Sequence, residues 1–362
     1  MKPWFDTQQL LHEIAHVQEK LYQGSRVLGR LPVAGGVTPY EVVYQEDKLR
    51  LLYYRPKQSN SITPVLITYA LVNRPYMTDL QQGRSLIQGL LAQEQEVYLI
   101  DWGYPDAMDR CLTLNDYING YMYRCVRQIL KRHNLEQLNL LGICQGGVLS
   151  LCYSALHADK IKNLILMVTP VDFHTPDNQL SHWMRQVDIN LLVDTLGNIP
   201  GELLNTIFAS LKPYQLKHQK YFNIIKSLDK PEAVESFMLM EQWVMDSPDQ
   251  AGEAFRQFAK DFFQSNKLIT GDALIGQQRI DLKQLTMPIL NIYATEDHIV
   301  PPSASLPLRD LVSSAAYEEF SFKGGHIGIY VSSRAQALIP AKIINWLLMH
   351  QSESMESSEK NA

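Results

Sequence analysis

The stretch Leu140-Leu141-Gly142-Ile143-Cys144-Gln145-Gly146-Gly147 is a short apolar run that closes in a Gly-x-Cys-x-Gly turn. Glycines at this spacing let a strand bend sharply into a helix and leave the middle side chain exposed on the bend. With sulfur there, the pattern predicts a thiol nucleophile. Partners follow downstream. Asp297 closes a strand-like run in Asn291-Ile292-Tyr293-Ala294-Thr295-Glu296-Asp297-His298, and His326 stands in Gly324-Gly325-His326 ahead of a final helical segment.

Working outward, β and α patterns alternate. Tyr40–Tyr44 and Leu49–Tyr54 read as a hairpin around the polar Gln45-Glu46-Asp47-Lys48. Pro64–Tyr69 reads as a buried strand, Ser85–Leu91 as helix, and Val97–Trp102 as a strand ending in Asp101-Trp102-Gly103. Tyr117–Arg132 is helical, Leu138–Ile143 is the strand before the turn, Gln145–His157 is its helix, and Leu164–Val168 is another strand. After a gap come the strands Pro288–Ala294 and Tyr317–Phe322 and a helix around Ala335–Met349. Such alternation implies parallel βαβ units with right-handed crossovers. With the order nucleophile, acid, histidine, it predicts an α/β-hydrolase fold: a mostly parallel sheet with helices on both faces.

From about Pro176 to Asp281 the alternation stops. The patterning there is helical and rich in aromatics: Trp183, Tyr214, Tyr221, Phe222, Phe237, Trp243, Phe255, Phe258, Phe262 and Phe263. At this place in the fold the block is expected to be a cap over the active site, its aromatics mostly cap core, a minority lining a channel. The expected organisation is an N-terminal amphipathic helix and linker (1–37), a core (38–175 and 282–350), a helical cap (176–281) and a Ser/Glu-rich disordered tail (351–362).

Composition narrows the class. The chain has 362 residues, 46% hydrophobic and 20% charged, which suits a globular enzyme with a sizeable core. Its net charge of -5 and lack of a basic stripe argue against nucleic acid. The four cysteines, 111, 125, 144 and 152, form no CxxC pair and point to reduced thiols in a cytoplasm. Cys152, two turns into the helix after the bend, reads as core filler. No signal peptide is evident, and no apolar run approaches the roughly 18 residues of a membrane span, so no bilayer insertion is expected.

His12-Glu13-Ile14-Ala15-His16 matches the zinc-peptidase pattern HExxH. At about 100° per residue, however, both histidines fall almost opposite the Leu10, Ile14, Val17, Leu21 stripe. A catalytic zinc needs an enclosed site and a third protein ligand, so no metal or other cofactor is expected.

A cysteine nucleophile acts as its thiolate, favoured here by an imidazole and by the positive end of the helix starting at Gln145. His326 would take the thiol proton. Asp297 either orients His326 or acts as a second base on an incoming hydroxyl. The oxyanion hole needs two backbone N–H groups: that of Gln145 and one within Tyr69–Val72, with Val72 the candidate. Sulfur favours transfer over hydrolysis. An acyl-cysteine is itself a thioester, so loading from another thioester is close to thermoneutral, and the acyl group can pass on to an alcohol. Asp101 and Trp102 could contact substrate, but such residues more often pack the loop, and they are left outside the site.

Tyr69-Ala70-Leu71-Val72-Asn73-Arg74-Pro75-Tyr76, Asp101-Trp102-Gly103-Tyr104-Pro105, Gly142–Gly147, Thr169-Pro170-Val171-Asp172-Phe173, Gly197-Asn198-Ile199-Pro200 and Gly324-Gly325-His326-Ile327-Gly328-Ile329-Tyr330 together resemble the catalytic subunit of class III polyhydroxyalkanoate synthases, of the PhaC/PhaE type. The resemblance runs from about residue 38 to residue 350. It implies an acyltransferase that polymerises short-chain (R)-3-hydroxyacyl-CoA, such as 3-hydroxybutyryl-CoA, into polyester with release of CoA. Cys144 would carry the acyl group, His326 would be its base, and Asp297 would assist attack by the 3-hydroxyl; His298 would sit beside the site without being the base. The resemblance also implies a PhaE-type second subunit, a homodimer, and a cytoplasmic enzyme at the surface of polyester granules. Two other readings share the residues: a cysteine esterase, thioesterase or polyester depolymerase, and an inactive scaffold that binds granules.

Overall fold

The structure is a computed structural model that describes residues 36–59, 63–212, 224, 227 and 230–359, with side chains up to Gln351. The proposed N-terminal helix with His12 and His16, and the aromatics Tyr214, Tyr221 and Phe222, lie outside the described residues.

In chain order the strands are β1 (Glu41–Glu46), β2 (Leu49–Tyr54), β3 (Val65–Thr68), β4 (Asp79–Gln81), β5 (Arg84–Ser85), β6 (Val97–Asp101), β7 (Leu138–Ile143), β8 (Ile161–Met167), β9 (Leu274–Ile275), β10 (Gln278–Arg279), β11 (Ile289–Ala294) and β12 (Tyr317–Phe322). Eight of them form one sheet in the order β1-β2-β6-β3-β7-β8-β11-β12. The hairpin β1–β2 adds antiparallel to β6, and every pair from β6 to β12 is parallel. The fold is that of an α/β-hydrolase.

The central strands read as unbroken apolar runs because both faces are covered. Leu138 and Leu140 of β7 face one side with Leu164 and Leu166 of β8, under the helices Tyr123–His133 and Gln145–Leu156. Leu141 and Ile143 face the other with Ile165 and Met167, where the helices Leu86–Leu91 and Ser333–Glu359 supply Leu90, Ile343 and the fully buried Trp346. Truncating one of these leucines to alanine costs about 2–5 kcal/mol in a packed core. The first helix is stopped from fraying by Ser85, whose side chain accepts from the N–H of Gln88.

Between β8 and β11 run the helices Gln179–Met184, Ile189–Leu196, Gly201–Leu211, Pro231–Met245 and Gly252–Phe258, the last continuing as a π-turn through Gln264. Leu180, Met184, Ile189, Val193, Ile199, Leu204 and Phe255 pack together there. Phe208 and Phe263 pack against this cluster, but three other aromatics of the insertion reach outside it. Phe258 and Phe262 pack on Phe173 in the core of the sheet's first face, and Trp243 joins the second. The insertion sits directly on the sheet, so its largest side chains bury most area by reaching into that core.

One further difference from the sequence reading has a local cause. The ribbon β9–β10 has two residues per strand, too few for alternation to be visible. The final helix is Ser333–Glu359. No described helix is long and apolar enough to cross a membrane.

Candidate active site

Cys144 follows β7 directly and caps the helix Gln145–Leu156 with φ 55° and ψ -123°. A non-glycine residue at positive φ is costly, most of all a β-branched one, and Val168, just after the neighbouring strand β8, also has a positive φ of 45°. The bend is held in place by main chain. Cys144 donates its N–H to Met167 O at 2.9 Å, and Gly147 N–H closes the turn on Cys144 O at 2.9 Å. The chain then passes so close to β3 that a Cβ on Gly146 would lie 2.2 Å from Thr68 O; on Gly147 it would lie 1.9 Å from Thr169 Oγ1. Both glycines are required by contact.

The structure brings Asp297 and His326 together. Asp297 follows β11 in a loop tied to the end of β12 by Thr295 N–H to Phe322 O and Glu296 N–H to Gly324 O. Its Oδ1 accepts from the N–H groups of Ile299 (2.8 Å) and Val300 (2.9 Å), and its Oδ2 meets His326 Nδ1 at 2.6 Å. With Nδ1 engaged, Nε2 is left for the Cys144 sulfur, which lies against the ring. Burial opposes charge on His326. Asp297 and then Cys144 outweigh it and hold the imidazole pKa well above its ordinary value.

Gln145 does more than start a helix. Its Oε1 accepts from Leu71 N–H at 3.0 Å, tying the loop after β3 to the bend and occupying one N–H of the Tyr69–Val72 segment. Val72 lines the same cavity as Cys144. Asp101 and Trp102 pack that loop from behind: Trp102 Nε1 donates to Tyr69 O, and Asp101 pairs with the buried Arg74, which also donates to Gly103 O.

Sequence reasoning missed two tyrosines at the base of the site. The hydroxyls of Tyr69 and Tyr330 meet at 3.5 Å, 261 positions apart in sequence. Burial pushes both phenols well up. The other cysteines are elsewhere. Cys125 and Cys152 are buried, and burial pushes the Cys152 thiol to about 12; Cys111 is exposed. Among the described residues no group of His, Cys, Asp and Glu could hold a metal ion.

A cavity of about 470 Å³ opens over Cys144 and His326. Its far wall is the insertion, with Leu204, Phe208, Met240, Trp243, Phe255 and Phe263. Asn73 crosses it, donating from Nδ2 to Asn205 Oδ1 at 3.1 Å, and Asn205 donates to Val244 O. His298 also lines it, with Nε2 buried and unpartnered among the described residues. Burial and the nearby Lys212 and His326 hold its pKa below the ordinary value, against the pull of Asp297. The arrangement is a thiol, an imidazole and a carboxylate in series at the mouth of an apolar chamber, the layout for passing an acyl group through a covalent intermediate.

Known proteins resemble this chain in both sequence and fold. Residues 63–333 match the family model for the α/β-hydrolase fold, and residues 8–90 match that for the poly-beta-hydroxybutyrate polymerase (PhaC) N-terminus. The chain is 57% identical over 342 residues to the poly(3-hydroxyalkanoate) polymerase subunit PhaC of Allochromatium vinosum, covering 93% of this chain and 96% of that one. It is 50% identical over 352 residues to the subunit of the same name from Synechocystis, covering 94% and 93%. Among solved structures it is similar in fold to the thioesterase domain of the curacin biosynthetic pathway, with 15% identity and a TM-score of 0.50 over 85% of this chain and all (100%) of that one.

Proposed function

Because the chain belongs to the PhaC family of poly(3-hydroxyalkanoate) polymerases, and is therefore an acyltransferase, we propose that it builds polyester from short-chain (R)-3-hydroxyacyl-CoA, with 3-hydroxybutyryl-CoA the favoured donor, through an acyl group held on Cys144. The observation that carries the mechanism is the buried Asp297–His326 pair beside a thiol on a strained turn. In the first half-reaction the sulfur attacks the thioester carbonyl, the bond to the CoA sulfur breaks, and CoA leaves as a thiol with the proton held by His326. In the second, a 3-hydroxyl oxygen, assisted by Asp297, attacks the acyl-cysteine, its proton passes to His326, and Cys144 leaves as thiolate. Each oxyanion is met by backbone N–H groups of Gln145 and Val72. Gln145 is the first residue of its helix, where an N–H has no acceptor within the helix. The Leu71 N–H is already taken, which supports Val72 as the second donor.

The insertion 176–281 serves as a cap that keeps water from competing with the alcohol. A PhaE-type second subunit shifts it toward an open state, in a cytoplasmic homodimer at the granule surface. The relatives' description as a subunit supports the partner. A partner can move such an equilibrium only through different affinity for the two states, so it raises activity and shortens any lag together.

The test is incubation with 3-hydroxybutyryl-CoA, with and without the co-expressed second subunit, following CoA and insoluble product. Polymer is expected in step with CoA. Free 3-hydroxybutyrate without polymer would make the chain a thioesterase, and a full rate without lag, unchanged by the partner, would remove the role given to the second subunit.

A further inference from the structure

We propose that Gln250 accepts a hydrogen bond from an amide N–H in the pantetheine arm of the thioester donor. The inference rests on the acyl-transfer reading above. Gln250 lies in the insertion, between the helices Pro231–Met245 and Gly252–Phe258, and lines the cavity that holds Cys144. It is only 5% exposed. Its backbone is pinned on both sides, N–H to Ile199 O and C=O from Ile199 N–H, each at 2.9 Å. The side-chain Oε1 is nonetheless buried without a hydrogen-bond partner among the described residues. Met184, Phe255, Phe258 and Ala259 line the same cavity.

A rigidly placed, buried acceptor without a donor costs stability, and such groups are rare in folded proteins. A ligand with a donor at that height would recover the loss. The body of a polyester cannot supply one, since ester oxygens only accept. Near the reacting thioester the donors are the 3-hydroxyl and the amide N–H groups of pantetheine; the pantoyl and ribose hydroxyls and the adenine amino group lie farther along CoA. The hydroxyl must reach Asp297 and His326, which come from the loops after β11 and β12. Gln250 comes from the insertion. That leaves the thioester arm as its partner.

The experiment compares Gln250→Leu and Gln250→Glu with wild type in CoA or thiol release, using 3-hydroxybutyryl-CoA and the amide-free S-ethyl thioester of 3-hydroxybutyrate. For Gln250→Leu the KM for the CoA thioester should rise about tenfold with kcat nearly unchanged, while the S-ethyl thioester is used as by wild type. The melting temperature of Gln250→Leu should hold or rise, because an orphan acceptor has been removed. Gln250→Glu keeps an acceptor and loses the amide donor, and should restore most of the KM. Equal loss on both thioesters, an unchanged KM in Gln250→Leu, or Gln250→Glu as weak as Gln250→Leu would each overturn the assignment; the last would make the amide a donor to a carbonyl. Wild type that releases thiol from neither substrate would instead sink the acyl-transfer reading itself.

Discussion

The turn at Cys144 and the helix Pro231–Met245 face each other across one cavity and are held in opposite ways. The turn is fixed by main chain: a strand hydrogen-bonded on both sides, a positive φ, and glycines with no room for a methyl group. The helix is held by side chains. Trp243 Nε1 donates to Arg74 O at 2.8 Å, Asn205 Nδ2 to Val244 O at 2.7 Å, and Ser236 Oγ to Gln81 Oε1 at 2.7 Å; beyond its end, Tyr104 OH donates to Asp246 Oδ1 at 2.5 Å. Each such bond contributes only about 1 kcal/mol net. The reacting atom is thus placed by steric exclusion, which does not yield, and the wall that must admit a substrate is placed by contacts that can open one at a time.

The hardest blow to this contrast would come from the sulfur. Cys144→Ala should cut CoA release by about 10³-fold or more without lowering the melting temperature, whereas Cys152→Ala should keep most of the activity. Full activity in Cys144→Ala would end the covalent mechanism. Next in size, His326→Gln should block acylation itself. Asp297→Asn should still give a single burst of CoA release and then elongate about 10²-fold more slowly. Equal loss of the burst in both variants would assign Asp297 to orienting His326 alone.

The two walls can also be compared directly. Gly146→Ala forces a methyl against Thr68 O and should cost about 3 kcal/mol in denaturant unfolding, with activity falling in parallel. Trp243→Phe loses one hydrogen bond, and should cost about 1 kcal/mol while raising the rate of the isolated chain. If the order of those costs were reversed, the contrast drawn above would be wrong.

The smallest effect is one of pH. Asp297 and Cys144 raise the folded-state pKa of His326 despite its burial, so its protonation stabilises the fold. That contribution is complete below about pH 6.5 and fades as pH rises through the raised value. The melting-temperature gap between wild type and His326→Gln should therefore narrow as pH rises above about 6.5. His298 has the opposite sign: its pKa is lowered, so the stability it gives is present above about pH 6.5 and lost as pH falls. His298→Gln should be most nearly neutral relative to wild type in acid.

Much of the sheet was legible because its signals are local. The runs Leu138–Ile143 and Tyr317–Phe322 are strands at those bounds, and the glycines around Cys144 announce a bend before any partner is known. The chain order also anticipated which acid and which histidine would approach each other. What could not be read were contacts whose two halves carry no mark of each other. Tyr69 and Tyr330 sit in recognisable segments, yet nothing in either says that their hydroxyls meet. Gln250 is one glutamine among many until the cavity shows its amide buried. Trp243 reads as apolar filler, and its polar edge matters only because the Arg74 carbonyl lies beneath it.

Asp297 uses one carboxylate oxygen on two backbone N–H groups and the other on the imidazole. Those three bonds clamp the torsion of its side chain, so the carboxylate has no swing left with which to follow a moving partner. For an enzyme that repeats one step many times on a lengthening strand, this amounts to memory. Whatever the attached chain does, the acid returns to each cycle at the same angle, with no rotational freedom to lose again.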